Sequence, residues 1–328
     1  MRAAWYEQKG PARDVLVVGE MPEPVPERGE VRVRLHTSGI NPGDTKKREG
    51  WLGSPMPYPR VVPHSDGAGV IDAVGDGVPR ERMGERVWVY GAQSYRPFGT
   101  AAEFVAVPQE QAVPLLDGVD FATGACLGIS ARTAHRCVYA DGPVAGHRVL
   151  VAGGVGNVGH AAVALAAWGG ATVIATVGSS EQAELARAAG ASVVLDRHVP
   201  DLAEQILTAA DGAGTDRIVE VALGANIALD ERVIANGGVI AAYASDAAEP
   251  QLPFWPLVFK NVVLRLVGSD DLPAAAERTA MADITACLRA GRWRPAIAHR
   301  FPLEQIGQAH EFVERGGAAG HVLLVLAA

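Results

Sequence analysis

Apolar positions recur in two different rhythms along this chain of 328 residues, and the rhythm changes near residue 120. Before that point, short β-like runs at 2–5, 30–37, 67–74, 86–90 and 103–107 are separated by turn-forming clusters such as Pro22-Glu23-Pro24 and Pro55-Met56-Pro57. That spacing predicts a compact antiparallel β barrel. Beyond it, strand-like segments at 149–152, 172–177, 193–195, 217–222 and 238–242 alternate with helix-like ones at 125–140, 157–168, 181–189, 201–210 and 228–234. Such alternation builds a doubly wound parallel sheet. The tail holds a strand at 262–267, helices at 274–289 and 303–314 and a strand at 322–326, too little for a third domain. The pattern therefore predicts an α/β chain of two domains, 1–122 with 263–328 and 123–262, which suits its length.

The most informative stretch is RVLVAGGVGNVG, Arg148 to Gly159, where a strand-like run breaks into glycines and opens into an alanine-rich helix. A pyrophosphate needs backbone N–H groups aimed at it, and a helix N-terminus supplies them with a favourable dipole. Gly153, Gly154 and Gly156 make the turn, Val155, Asn157 and Val158 lie between and after them, and Gly159 packs the helix on the sheet. Strand, glycines, helix and a second strand together mark a dinucleotide site. At the end of the second strand an acidic residue would bind the ribose hydroxyls of NAD, but the chain runs Gly178, Ser179, Ser180. Glu181 falls in the first turn of the next helix. Small hydroxyl side chains there favour NADPH, with Arg197 and His198 after the third strand as candidate partners of its 2′-phosphate. Strand ends also bring Val221, Ala222, Tyr243, Ala244 and Ser245 to the ligand side of the sheet.

Composition narrows the class. Hydrophobic residues make up 48% and charged residues 20%, as in an ordinary globular protein. A net charge of −8 with no basic stripe argues against nucleic acid as a partner. No apolar run approaches a membrane span and no signal peptide is evident, so a cytoplasmic location is expected. Cys126, Cys137 and Cys287 are too scattered for a disulfide framework and contain no CxxC pair.

Several ordered motifs carry a family resemblance: Gly39-Ile40-Asn41-Pro42-Gly43-Asp44 with Arg48-Glu49-Gly50, Ser65-Asp66-Gly67-Ala68-Gly69-Val70-Ile71 with Val74-Gly75, Gly84-Glu85-Arg86-Val87, and the phosphate loop. Across nearly its whole length the chain resembles the zinc-independent medium-chain dehydrogenases/reductases, within them the quinone oxidoreductases related to zeta-crystallin. The resemblance implies a GroES-like barrel, a Rossmann domain and an active site in the cleft between them. It further implies that Thr133 and the loop Val267, Gly268 and Ser269 stand near the nicotinamide, and that the protein is a homodimer.

Zinc-dependent members of the superfamily polarise a carbonyl with a Cys, His and Cys site. Here Asn41 stands in place of the first cysteine and Ser65-Asp66 in place of His-Glu, His64 is one position out of register, and the four-cysteine structural loop is missing. No metal is expected. Without a Lewis acid, hydride transfer needs an acceptor that is already electrophilic, such as a quinone or an α,β-unsaturated carbonyl. Asn41 and Lys46 are the candidate hydrogen-bond or proton donors, with Asp44 orienting Asn41 or the local loop; many relatives carry tyrosine where this chain has Lys46. Tyr90 and Tyr95 are candidates for the acceptor pocket. The rival readings are an enoyl or alkenal reductase on the same frame and a non-catalytic, crystallin-like NADPH-binding protein.

Overall fold

The computed structural model describes residues 1–317 and 319–326. The chain forms two compact units, Met1–Ser130 with Pro295–Ala328, and Ala131–Arg294. The first begins with β1 (Arg2–Trp5), β2 (Val17–Glu20), β3 (Glu30–Ile40), β4 (Asp66–Val74), β5 (Arg86–Val89), β6 (Phe104–Pro108) and β7 (Ala112–Pro114). In β3 the side chains of Val31, Val33 and Leu35 are buried while Arg32 and Arg34 between them are not. That period of two lays one face of the strand on a core shared with Ile71, Val87, Val89 and Val105.

The second unit contains β8 (Arg148–Val151), β9 (Thr172–Val177), β10 (Val193–Asp196), β11 (Thr215–Glu220), β12 (Ile234–Ala242) and β13 (Val263–Leu266). They form one sheet in the order β10-β9-β8-β11-β12-β13 with every neighbouring pair parallel. Uninterrupted apolar runs such as Val173, Ile174 and Ala175, all fully buried, are what a sheet covered on both faces requires. Strand order reverses at β8, and open parallel sheets bind ligands beyond the carboxyl ends at that point. The helix Asn157–Trp168 leaves there; it is apolar nearly all round because residues 159–166 are all buried.

The chain then returns to the first unit with β14 (Ile297–Pro302) and β15 (His321–Val325). Its main sheet runs β14-β15-β3-β4-β5-β7, with β6 on β3. Among the described residues β14 and β15 alone pair in parallel there; the rest is antiparallel.

The unit boundaries differ from the domain limits read from the sequence, 1–122 with 263–328 and 123–262. β13 pairs with β12 as the sixth strand of the parallel sheet, so residues 263–294 stay with the second unit. Residues 123–130 stay with the first. An apolar run such as 262–267 states that it is a strand but not which strand it pairs with, because pairing is a long-range contact. Among the described residues no helix is long and apolar enough to cross a membrane.

Candidate functional site

The loop after β8 is shaped by contacts that only glycine permits. Gly153 has φ +66, in the left-handed region. Its N–H donates to Thr176 Oγ1 at 3.2 Å and that of Gly154 to the Thr176 carbonyl at 2.9 Å, tying the loop to the end of β9. A Cβ on Gly154 would stand 2.8 Å from Ala175 Cβ, and one on Gly159 only 2.2 Å from the Gly153 carbonyl oxygen. Loop and helix therefore meet more closely than any side chain allows. Gly156 is the exposed N-cap residue, Val155 is buried beneath it, and Asn157 and Val158 open the helix. The first N–H groups of a helix have no acceptor within it, and together with the dipole they form an anion cradle. These residues fit a dinucleotide pyrophosphate.

At the end of β9, Ser179 caps the helix Ser180–Ala188: its Oγ accepts from Gln182 N–H at 3.3 Å while Gln182 Oε1 accepts from Gly178 N–H at 2.8 Å. Arg197 follows β10 and donates its backbone N–H to the Val177 carbonyl at 2.9 Å. Its guanidinium lies 3.4 Å from where a Gly178 Cβ would be. Ser179, Ser180 and Arg197 are all exposed. The nearest acid in register, Asp196 beside Val177, accepts from the backbone N–H of His198 at 2.9 Å. A cation and a helix N-terminus thus flank the end of β9, a setting that suits a phosphate better than a neutral ribose hydroxyl.

The other strand ends gather on the same side of the sheet. A Cβ on Gly153 would touch Val221 Cγ1 at 3.5 Å, and Ala222 is the N-cap of the helix Leu223–Val233. Tyr243 N–H donates to the Glu220 carbonyl at 3.1 Å, the Ala244 carbonyl accepts from Leu223 at 3.3 Å, and Ser245 Oγ accepts from Ala247 N–H at 3.1 Å. Val267 donates to the Ala242 carbonyl at 2.9 Å ahead of Gly268, and the Ser269 carbonyl accepts from Arg132 at 3.2 Å. Thr133, next to Arg132, is buried in the helix Ile129–Tyr139.

In the first unit a polar network surrounds Asn41, the N-cap of the helix Pro42–Glu49. The Asp44 carboxylate accepts Asn41 N–H at 2.8 Å, and Asn41 Nδ2 donates to Asp66 Oδ2 at 2.8 Å. Both Asp66 oxygens accept the Ile129 N–H, at 3.0 and 2.9 Å. Burial pushes the Asp44 carboxyl up to about 7, opposed by the Asn41 N–H and assisted by the Asp66 charge. Among the described residues Asp44 Oδ1 is buried with no hydrogen-bond partner. The structure brings Asn41 and Asp44 together but not Lys46, which is exposed with its ammonium over the Trp51 ring at 5.2 Å. Nor does it join the two tyrosines: Tyr90 is buried beside Trp88, whereas Tyr95 is 70% exposed at φ +55.

A second buried chain of bonds has no local signature in the sequence. His64, a non-glycine at φ +76, shares its Nδ1 with Ser38 Oγ at 2.9 Å and its Nε2 with His310 Nε2 at 2.8 Å. Ser38 Oγ meets Thr100 Oγ1 at 2.8 Å, and Thr100 donates to the Asp66 carbonyl at 2.6 Å. That last bond fixes the direction of all the others: Ser38 donates to Thr100, His64 Nδ1–H to Ser38, and His310 Nε2–H to His64. Burial holds His64 down to about 3 and His310 well below its ordinary value. Both imidazoles are therefore neutral. The donor set does not fit zinc. An amide at Asn41 and a hydroxyl at Ser65 replace strong ligands, His64 is committed to His310, and the Cys126 thiol donates to the Ala122 carbonyl. Among the described residues no group of three or more His, Cys, Asp or Glu is placed to hold a metal ion.

Comparison with known proteins matches two family models, "Alcohol dehydrogenase GroES-like domain" over residues 27–117 and "Zinc-binding dehydrogenase" over residues 157–281. The expected pairing of a GroES-like domain with a Rossmann-type parallel sheet is present. The quinone oxidoreductase of Rattus norvegicus is 29% identical over 328 residues, spanning 99% of this chain and 98% of that one. A solved structure described as an NAD-dependent alcohol dehydrogenase matches all of both chains with a TM-score of 0.90 at 28% identity. A mycobacterial protein solved in complex with NADPH matches with a TM-score of 0.85 at 25% identity, over 99% of this chain and 100% of that one.

Proposed function

This chain belongs to the quinone oxidoreductase family of the medium-chain dehydrogenases/reductases, and from that premise we propose that it is an NADPH-dependent reductase of quinones or related α,β-unsaturated carbonyls, working without a metal. One observation carries the cofactor assignment: the glycine cradle from Gly153 to Gly159 lies in a sheet whose next strand ends in Gly178-Ser179-Ser180 with the Arg197 guanidinium against it and no acid in that turn. When bound, the reduced nicotinamide supplies a hydride.

The overall conversion takes two electrons and two protons to the acceptor, one proton travelling with the hydride and the other coming from the protein or water. Asn41 has a second amide N–H besides the one given to Asp66, and it serves an acceptor oxygen that gains negative charge. Asp44, held near 7, is partly protonated at neutral pH and keeps the second proton at hand on Oδ1. We assign Lys46 no part in proton transfer, because its ammonium is engaged with Trp51 at the surface. The proposal extends to a homodimer: β13 is an edge strand with Leu266 72% exposed, and Phe254, Trp255 and Phe259 are exposed on the helix that precedes it.

Equilibrium titration with NADPH and NADH tests the cofactor assignment. NADPH binds more tightly, and Arg197→Ala weakens NADPH by about tenfold or more while leaving NADH within a factor of about two. Equal loss for both cofactors, or tighter NADH binding by the unaltered protein, overturns it.

A further inference from the structure

At the carboxyl end of β11 the second unit buries two carboxyl groups against each other. Glu220 closes β11 with no exposed surface, and Asp230 on the helix Leu223–Val233 is 1% exposed. That helix buries Leu223, Ile227, Asp230 and Val233 along one face, so an acid occupies a position that the pattern reserves for an apolar side chain. Asn226, one turn before Asp230, donates from Nδ2 to Glu220 Oε1 at 2.9 Å, and the backbone N–H of Ala222 donates to the same oxygen. Among the described residues Glu220 Oε2 and Asp230 Oδ2 are buried with no settled hydrogen-bond partner other than each other, while the Val221 N–H also bears on the Glu220 carboxyl. Two adjoining carboxylates away from water cannot both remain ionised, whereas one proton between them satisfies both. Both groups are accordingly held above the ordinary carboxyl range, by burial first and, for Asp230, next by the Glu220 charge.

The proton holds more than the pair. The Ala222 N–H is anchored on Glu220, and Val221 beside it is the residue that faces Gly153 of the phosphate loop. The Glu220 carbonyl also receives Tyr243 N–H at the end of β12. The surrounding charged groups are engaged elsewhere. Arg217 on β11 is paired with Asp141, Arg232 with Glu204 and Lys260 with Glu231. Asp246 accepts from Ala225 N–H at the start of the helix, and the Tyr243 phenol, raised chiefly by its burial, remains neutral. None of these supplies a cation to the pair.

We propose that Glu220 and Asp230 are a proton-locked positioning pair for dinucleotide binding: sharing one proton they fix Val221 and Ala222 against the phosphate loop, and on losing it they release that loop and weaken binding. The inference rests on reading this unit as an NADPH site. The test is a titration of the full chain with NADPH from about pH 7 to about pH 10, with circular dichroism confirming the fold at each pH. The unaltered protein holds a constant Kd and then loses affinity by about three- to tenfold as the pair ionises. Asp230→Asn, whose amide donates to Glu220 Oε2 at every pH, removes that rise. Asp230→Ala, with no donor, raises Kd at neutral pH as well. A role in stability alone would lower the Tm of the variants and leave the shape of the Kd profile unchanged. A flat profile for the unaltered protein, or an undiminished rise in Asp230→Asn, overturns the inference. Failure of the unaltered protein to bind NADPH at neutral pH overturns instead the reading on which it rests.

Discussion

Asp44 and His64 flank the same buried network, yet they pull stability in opposite directions with pH. Asp44 is held at about 7 in the native state against roughly 4 in the unfolded chain. The native state binds the extra proton, so its contribution is complete below the unfolded value and is lost as pH rises through about 7. His64 is held at about 3 against roughly 6.5 unfolded, so its contribution is complete above the unfolded value and is lost as pH falls toward about 3. Asp44→Asn is therefore expected to gain on the unaltered protein by about 1–3 kcal/mol between about pH 5 and about pH 8, read by urea unfolding at each pH. A constant difference across that range would show that Asp44 titrates normally. Ser38→Ala leaves His64 Nδ1–H buried without an acceptor and should cost about 1–3 kcal/mol, measured in the same way. No measurable loss would mean that His64 finds another acceptor.

Elements expose what a single chain of letters carries and what it does not. The strand, glycine turn and helix at 148–168 are legible because each step is local: an apolar run, residues that accept positive φ, then alanine-rich helix formers. The network around Asn41 was only half legible, since Asp44 is three residues away on the same helix whereas Asp66 and Ile129 arrive from distant segments. Helical geometry separates Lys46 from Asp44 by two residues, about 200° around the axis, so the lysine could not join the buried face that holds Asp44. Glu220 and Asp230 carried a signal that composition hides: an acid directly after the apolar pair Ile218-Val219 at the end of β11 and another on an apolar helical stripe. His64 and His310 gave no local sign, being 246 residues apart. At this scale Gly159→Ala is decisive. Its Cβ would meet the Gly153 carbonyl oxygen at 2.2 Å, so the helix start must shift. Destabilisation of about 2 kcal/mol or more and at least tenfold weaker NADPH binding are expected by thermal unfolding and titration. Unchanged affinity would mean that this loop does not hold the pyrophosphate.

For the whole molecule, the proposed homodimer would cover the exposed strand edge at β13 and its aromatic neighbours. Leu266→Lys together with Phe259→Ser should shift a dimer to monomers in sedimentation velocity, and monomers in the unaltered protein would rule that surface out. The proposed chemistry is tested by NADPH consumption in the presence of a strong metal chelator, with quinones and α,β-unsaturated carbonyls offered one at a time. The expected result is acceptor-dependent oxidation of NADPH that the chelator leaves intact and that Asn41→Ala slows by about tenfold or more. Oxidation restored only by added zinc, or none with any acceptor, would contradict it.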